Sequence, residues 1–174
     1  LIHPLKTKLK FSLVFSKAAS GGGNVTAWYD VETFENTDSD AFASDSSIEW
    51  SDVTIAAGGI SDKARIYIAA RFGPGDIKMG LYNSAGTTLL AEGTGSHTAG
   101  NQYLEINWNT PVALSSSTTY KLARIFSNGN IAMRFKSSSG AMTFGSNTYA
   151  SGLPASLPGG SDISRGYAVG VHIQ

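Results

Sequence analysis

The chain has 174 residues, and its 13 Lys+Arg are balanced by 13 Asp+Glu, so the formal net charge is zero. That balance supplies no field to gather nucleic acid or an anionic membrane, and the lack of cysteine excludes disulfides, thiolate catalysis and Cys-ligated zinc. Charged residues reach only 15% while glycine fills 20 positions, which leaves Ser, Thr and Asn to cover the surface, a composition frequent in extracellular and virion β-proteins.

The length suits one core, hence a single domain over 1–174. No run approaches the roughly 18 apolar residues of a membrane helix, so membrane insertion is not expected. Within residues 1–20, Leu5, Leu9, Phe11, Leu13 and Phe15 share one face and Lys6, Lys8, Lys10 and Ser12 the other, which predicts an N-terminal strand. The apolar run there is too short for the core of a signal peptide. The lysines suit an edge strand guarded against aggregation. A chain that begins at Leu1 reads as processed, or as a piece of something longer.

Residues 18–23, with Ser20-Gly21-Gly22-Gly23, predict a flexible joint. Val25, Ala27 and Tyr29 then alternate with Thr26, Trp28 and Asp30, a second strand. Residues 32–47 are acidic and hydroxyl-rich, a long loop with room for one short strand, and 48–55 return to strand composition. Over 64–90 the alternation of Ala64, Ile66, Ile68, Ala70 and Phe72, then Ile77, Met79 and Leu81, is broken by Gly73-Pro74-Gly75-Asp76 and Asn83-Ser84-Ala85-Gly86. This predicts a three-stranded meander. A polar loop over 93–100 precedes a strand with Leu104, Ile106 and Trp108 on its apolar face.

A strand over 118–126 leads to Asn128-Gly129, the strongest hairpin signal in the chain, expected as a type I′ turn with 131–135 returning beside it. Residues 137–140 predict another turn, 141–149 a weaker strand, 151–160 a loop, and Tyr167, Val169, Val171 and Ile173 the closing strand. No segment shows helical periodicity. The fold class is therefore all-β, with nine or ten strands expected as a two-sheet antiparallel β-sandwich of jelly-roll type.

Catalysis is not expected. His3, His97 and His172 carry no H-E-x-x-H pattern, no serine sits in a G-x-S-x-G elbow, and His172 reads as a surface histidine. No cofactor is required. One metal site is conceivable: Asn36, Asp38 and Asp40 place oxygen side chains at alternate positions, as a Ca²⁺-wrapping loop does, although Ala41 stands where an EF-hand needs glycine. The alternative is a solvated polar loop.

Aromatic rings give the third lead, since they stack on the apolar faces of sugars while polar neighbours bond the hydroxyls. Trp28 lies opposite Val25, Ala27 and Tyr29, which makes it the first candidate for a carbohydrate-binding platform, followed by Tyr29 and Trp50. Trp108 shares its face with Leu104 and Ile106 and is expected in the core.

From Lys63 onward, Ala64-Arg65-Ile66-Tyr67, Gly80-Leu81-Tyr82-Asn83-Ser84-Ala85-Gly86, Leu89-Leu90-Ala91, Thr118-Thr119-Tyr120-Lys121-Leu122-Ala123 and Thr148-Tyr149-Ala150-Ser151-Gly152-Leu153-Pro154-Ala155 form recurring strand-turn-strand strings. Over 63–174 the chain thus resembles jelly-roll β-sandwich modules of secreted carbohydrate-binding proteins and of phage tail and fibre distal domains. Such modules often have Gly where this chain has Ser117, and no ligand-binding residue transfers. The expectation is a non-catalytic extracellular or virion module for surface attachment, its partner a polysaccharide or cell-surface glycan. The alternative is a structural subunit, a virion decoration protein or filament, assembling as a homo-oligomer or with virion neighbours through its sheet edges.

Overall fold

The computed structural model describes residues 26–32 and 39–174, and of residues 39, 40, 42, 71 and 137–141 the backbone alone. The expected strand over 5–15, the joint at 18–23 and Lys6, Lys8 and Lys10 lie outside these residues.

Eleven strands are present among the described residues: β1 Ala27–Asp30, β2 Ser39–Phe42, β3 Ser47–Ile55, β4 Gly59–Arg71, β5 Gly75–Tyr82, β6 Leu89–His97, β7 Gln102–Leu114, β8 Thr118–Phe126, β9 Ile131–Ser146, β10 Ser161–Tyr167 and β11 Val169–Ile173. One 3₁₀ turn, Tyr149–Ser151, is the sole helical piece among them. The all-β, antiparallel expectation is met. The strands join in one hydrogen-bonded network ordered β1-β11-β4-β9-β3-β8-β5-β6, with β7 on β4 and with β2 and β10 on β9.

Two long strands make that continuity. β4, 13 residues, pairs with β7 and β11 along its first part and with β9 from Ile68 to Arg71. β9, 16 residues, pairs with β2 and β4 near its start, with β3 near its end, and with β10 from Phe135 to Phe144. The sheet also closes back on itself. β6 and β7 share no ladder, yet a Cβ at Gly93 would run into the carbonyl oxygen of Asn107. Only a residue without a side chain lets these two backbones approach so closely.

Inward-facing residues of nearly every strand form the main core, among them Val53, Ile66, Met79, Leu81, Ile106, Trp108, Leu122, Phe126, Met133 and Val171. Trp108 is buried as expected, and its indole N–H donates to Ser61 Oγ at 2.8 Å. A smaller cluster of Ile48, Trp50, Tyr82, Ala123 and Ile125 lies on the other face of β3, β8 and β5, packed under Leu89, Tyr149, Leu153 and Leu157. The 151–160 loop is tied there by bonds from Tyr82 Oη to Pro154 O at 2.7 Å, Leu89 N to Ala155 O at 3.0 Å and Leu157 N to Gly86 O at 2.7 Å.

Arg124 is fully buried, 3.1 Å from Glu49, with its guanidinium carbon 4.4 Å from the Tyr167 ring centroid. Leaving either charge alone in that interior would cost about 3–5 kcal/mol.

Five local expectations change. β4 and β5 do not pair, so the stretch 64–90 is no meander; Gly73-Pro74 carries the chain to a different neighbour, and only β5 and β6 form a hairpin. β8 and β9 do not pair either, and neither Asn128 nor Gly129 has positive φ, so no type I′ hairpin exists there. Asn128 instead donates to Pro74 O at 2.8 Å and accepts from the Asn130 N–H at 3.0 Å, pinning one connection to the other. Gly93 and Gly95 belong to β6 rather than to a loop, and 137–140 continue β9. Finally, a register shift between Ile68 and Ala70 inverts the alternation of β4, which leaves Phe72 66% exposed.

Candidate functional site

The register of β1, β11, β4 and β7 assembles rows of side chains across four strands. Trp28, His172, Lys63 and Asn107 are opposed in one row, Asp30, Gly170, Arg65 and Glu105 in the next, and Tyr67 and Tyr103 beyond them. The intervening row, Tyr29, Val171, Ala64 and Ile106, points to the opposite face, because successive side chains of a strand alternate. Polar and aromatic residues thus gather on the outer face, and apolar ones fill the core.

Contacts within the outer rows are specific. Arg65 Nε donates to Asp30 Oδ1 at 2.9 Å and Nη2 to Oδ2 at 2.5 Å, the two-pronged geometry that suits guanidinium and carboxylate. The Arg65 guanidinium carbon lies 4.3 Å from the Trp28 ring centroid and 4.4 Å from that of Tyr103, so a cation is held between two rings. Tyr103 meets Tyr67 edge-on at 5.1 Å, and the Tyr67 hydroxyl donates to Asn101 Oδ1 at 2.7 Å. Lys63 pairs with Glu105 at 2.7 Å and stands 5.6 Å from the Trp28 centroid.

His172 differs from its expectation as a surface histidine. It lies on the outer side of β11 but is only 7% exposed, its ring 5.0 Å from that of Trp28 and its Nδ1 2.5 Å from Asp62 Oδ1. The bulge at Asp62, where the register slips between Ser61 and Lys63, brings this carboxylate and Lys63 to the same neighbourhood. Extra residues of this kind re-aim side chains.

The predicted carbohydrate-binding residues separate. Trp28 is on the outer face as strand parity requires, although partly covered by its cationic and imidazole neighbours. Tyr29 packs against the core from the opposite side of the strand, and its hydroxyl accepts the exposed Ala57 N–H at 3.0 Å. Two consecutive residues of one strand cannot share a face. Trp50 is 6% exposed beneath the 151–160 loop and offers no free ring. The residues that join Trp28, namely Arg65, Tyr103, Lys63 and Glu105, were missed because their meeting depends on pairing between strands remote in sequence. The alternation of Lys63, Arg65 and Tyr67, opposed to the apolar Ala64, Ile66 and Ile68, was the one local signal.

Of the predicted Ca²⁺ ligands, Asn36 and Asp38 lie outside the described residues. Asp40 stands in β2 opposite Arg134, with its backbone alone described. Among the described residues no three His, Asp or Glu side chains are placed to hold a metal ion.

Two tyrosines of the smaller cluster have raised pKa values. Burial, then the charge of Glu92, pushes the Tyr82 hydroxyl up, and burial, then Asp76, does the same to Tyr149. Fold and face together define an antiparallel all-β domain with an ion-paired aromatic surface on four adjoining strands. No protein-family model matches the chain, and no curated protein matches it.

Proposed function

We propose that the outer face of β1, β11, β4 and β7 binds a polysaccharide or cell-surface glycan, and that the chain is a non-catalytic attachment module of an extracellular or virion protein. The stack of Trp28, Arg65 and Tyr103 carries this reading. It combines flat amphipathic rings, which suit the CH-rich face of a sugar, with the carboxylate and amide groups of Glu105 and Asn107 on β7, which suit its hydroxyls. Both charged pairs fix their side chains before a ligand arrives, so less conformational entropy is lost on binding.

The test is retention of the pure domain in native gels containing soluble polysaccharides, with gel filtration alongside. Retention by at least one polymer, weakened by Trp28→Ala, supports the reading. Self-assembly with no retention on any polymer would favour the structural-subunit alternative.

A further inference from the structure

We infer, building on the glycan reading above, that this face takes a neutral polysaccharide and discriminates against uronate-bearing or sulfated ones. The part of β4 that pairs with β7 and β11 carries two cations, and each already has a carboxylate: Lys63 has Glu105, and Arg65 has Asp30. Asp62, bonded to His172, adds a third carboxylate. The face therefore holds three carboxylates beside the two cations of β4, the third of them bonded to His172.

An anionic sugar would have to displace a resident carboxylate and leave it nearby as a like charge. The Arg65 pair resists this displacement. Its side chains are only 19% and 13% exposed, the guanidinium is held between two rings, and the Asp30 carboxylate occupies the space that a Cβ at residue 170 would fill. Neutral hydroxyls meet no such conflict, because each can donate to a carboxylate oxygen that keeps its cation.

The experiment compares native-gel retention by a neutral galactomannan and a neutral β-glucan with retention by polygalacturonate and dextran sulfate, at low and at physiological salt. The expected result is retention by a neutral polymer with little salt dependence, and none by the acidic polymers. Glu105→Gln, which keeps the side chain's shape but releases Lys63, should gain retention on polygalacturonate that salt then removes. Salt-sensitive retention of the unaltered protein by either acidic polymer, in preference to the neutral ones, overturns the inference while leaving glycan binding standing. Retention by none of the four, repeated across a wider polysaccharide panel, overturns the glycan reading itself and this inference with it.

Discussion

Arg65 reaches Asp30 across an intervening strand: β11 lies between them, and the residue at the crossing is Gly170. A side chain there would occupy the position of the Asp30 carboxylate. Gly170→Ala should therefore break the two-pronged pair and lower stability by about 1–3 kcal/mol, the usual range for overpacking and for a lost charged hydrogen bond. Urea unfolding should show a lower midpoint with an unchanged slope. A wild-type midpoint would mean that the carboxylate has another place to go.

Trp28 contributes to stability as well as to the face. Its cation–π contact with Arg65 and its packing on His172 predict a loss of about 1 kcal/mol in Trp28→Ala. Trp108→Ala and Trp50→Ala should cost about 3–5 kcal/mol each, because both rings are buried. Thermal denaturation of the three variants checks the ranking. A Trp28 variant as unstable as the other two would place that ring in the core.

Ser117 has a φ of 53° in the turn between β7 and β8, a conformation that glycine adopts without the Cβ penalty. Ser117→Gly should raise stability by about 0.5 kcal/mol. Gly129 has no positive φ, and a Cβ there would meet only Ala43 O at 3.4 Å. Gly129→Ala should then be neutral or stabilising by about 0.4–1 kcal/mol, through the reduced freedom of the unfolded chain. Paired melting curves decide both. A marked loss in the second variant would restore a left-handed turn at Asn128-Gly129.

Tyr82 makes the fold sensitive to alkali. Its folded-state pKa is raised by burial and by Glu92 from the ordinary value of 10.0, so above that value the unfolded chain loses this proton first. Its contribution to stability is complete below pH 10.0 and falls as pH rises beyond it. Tyr82→Phe removes that slope while also losing the bond to Pro154 O. It should be less stable at pH 7 but fall less steeply between about pH 10 and 12. Equal slopes for the two proteins would show that the hydroxyl ionises as readily in the fold as outside it.

Strand composition, the outward Trp28, the buried Trp108 and the 151–160 loop were all legible in the chain, because alternation and turn chemistry are local. Side chains of period two must divide between two faces whatever the neighbouring strand is. What alternation lacks is the identity of that neighbour. The same Gly-Pro and Asn-Gly connections that read as hairpins lead β4 and β8 to strands far along the chain. Only that long-range pairing sets Arg65 and Tyr103 beside Trp28 and Asp30. Trp50 had the same local signature as an exposed ring, and it is buried because a distant loop lies over it. A one-residue slip in β4 likewise turned Phe72 outward against its pattern. Sequence by itself determined which residues can form strands and which face each can choose. The tertiary structure decided which faces are covered and which side chains meet, since both depend on contacts between residues that are distant in the chain.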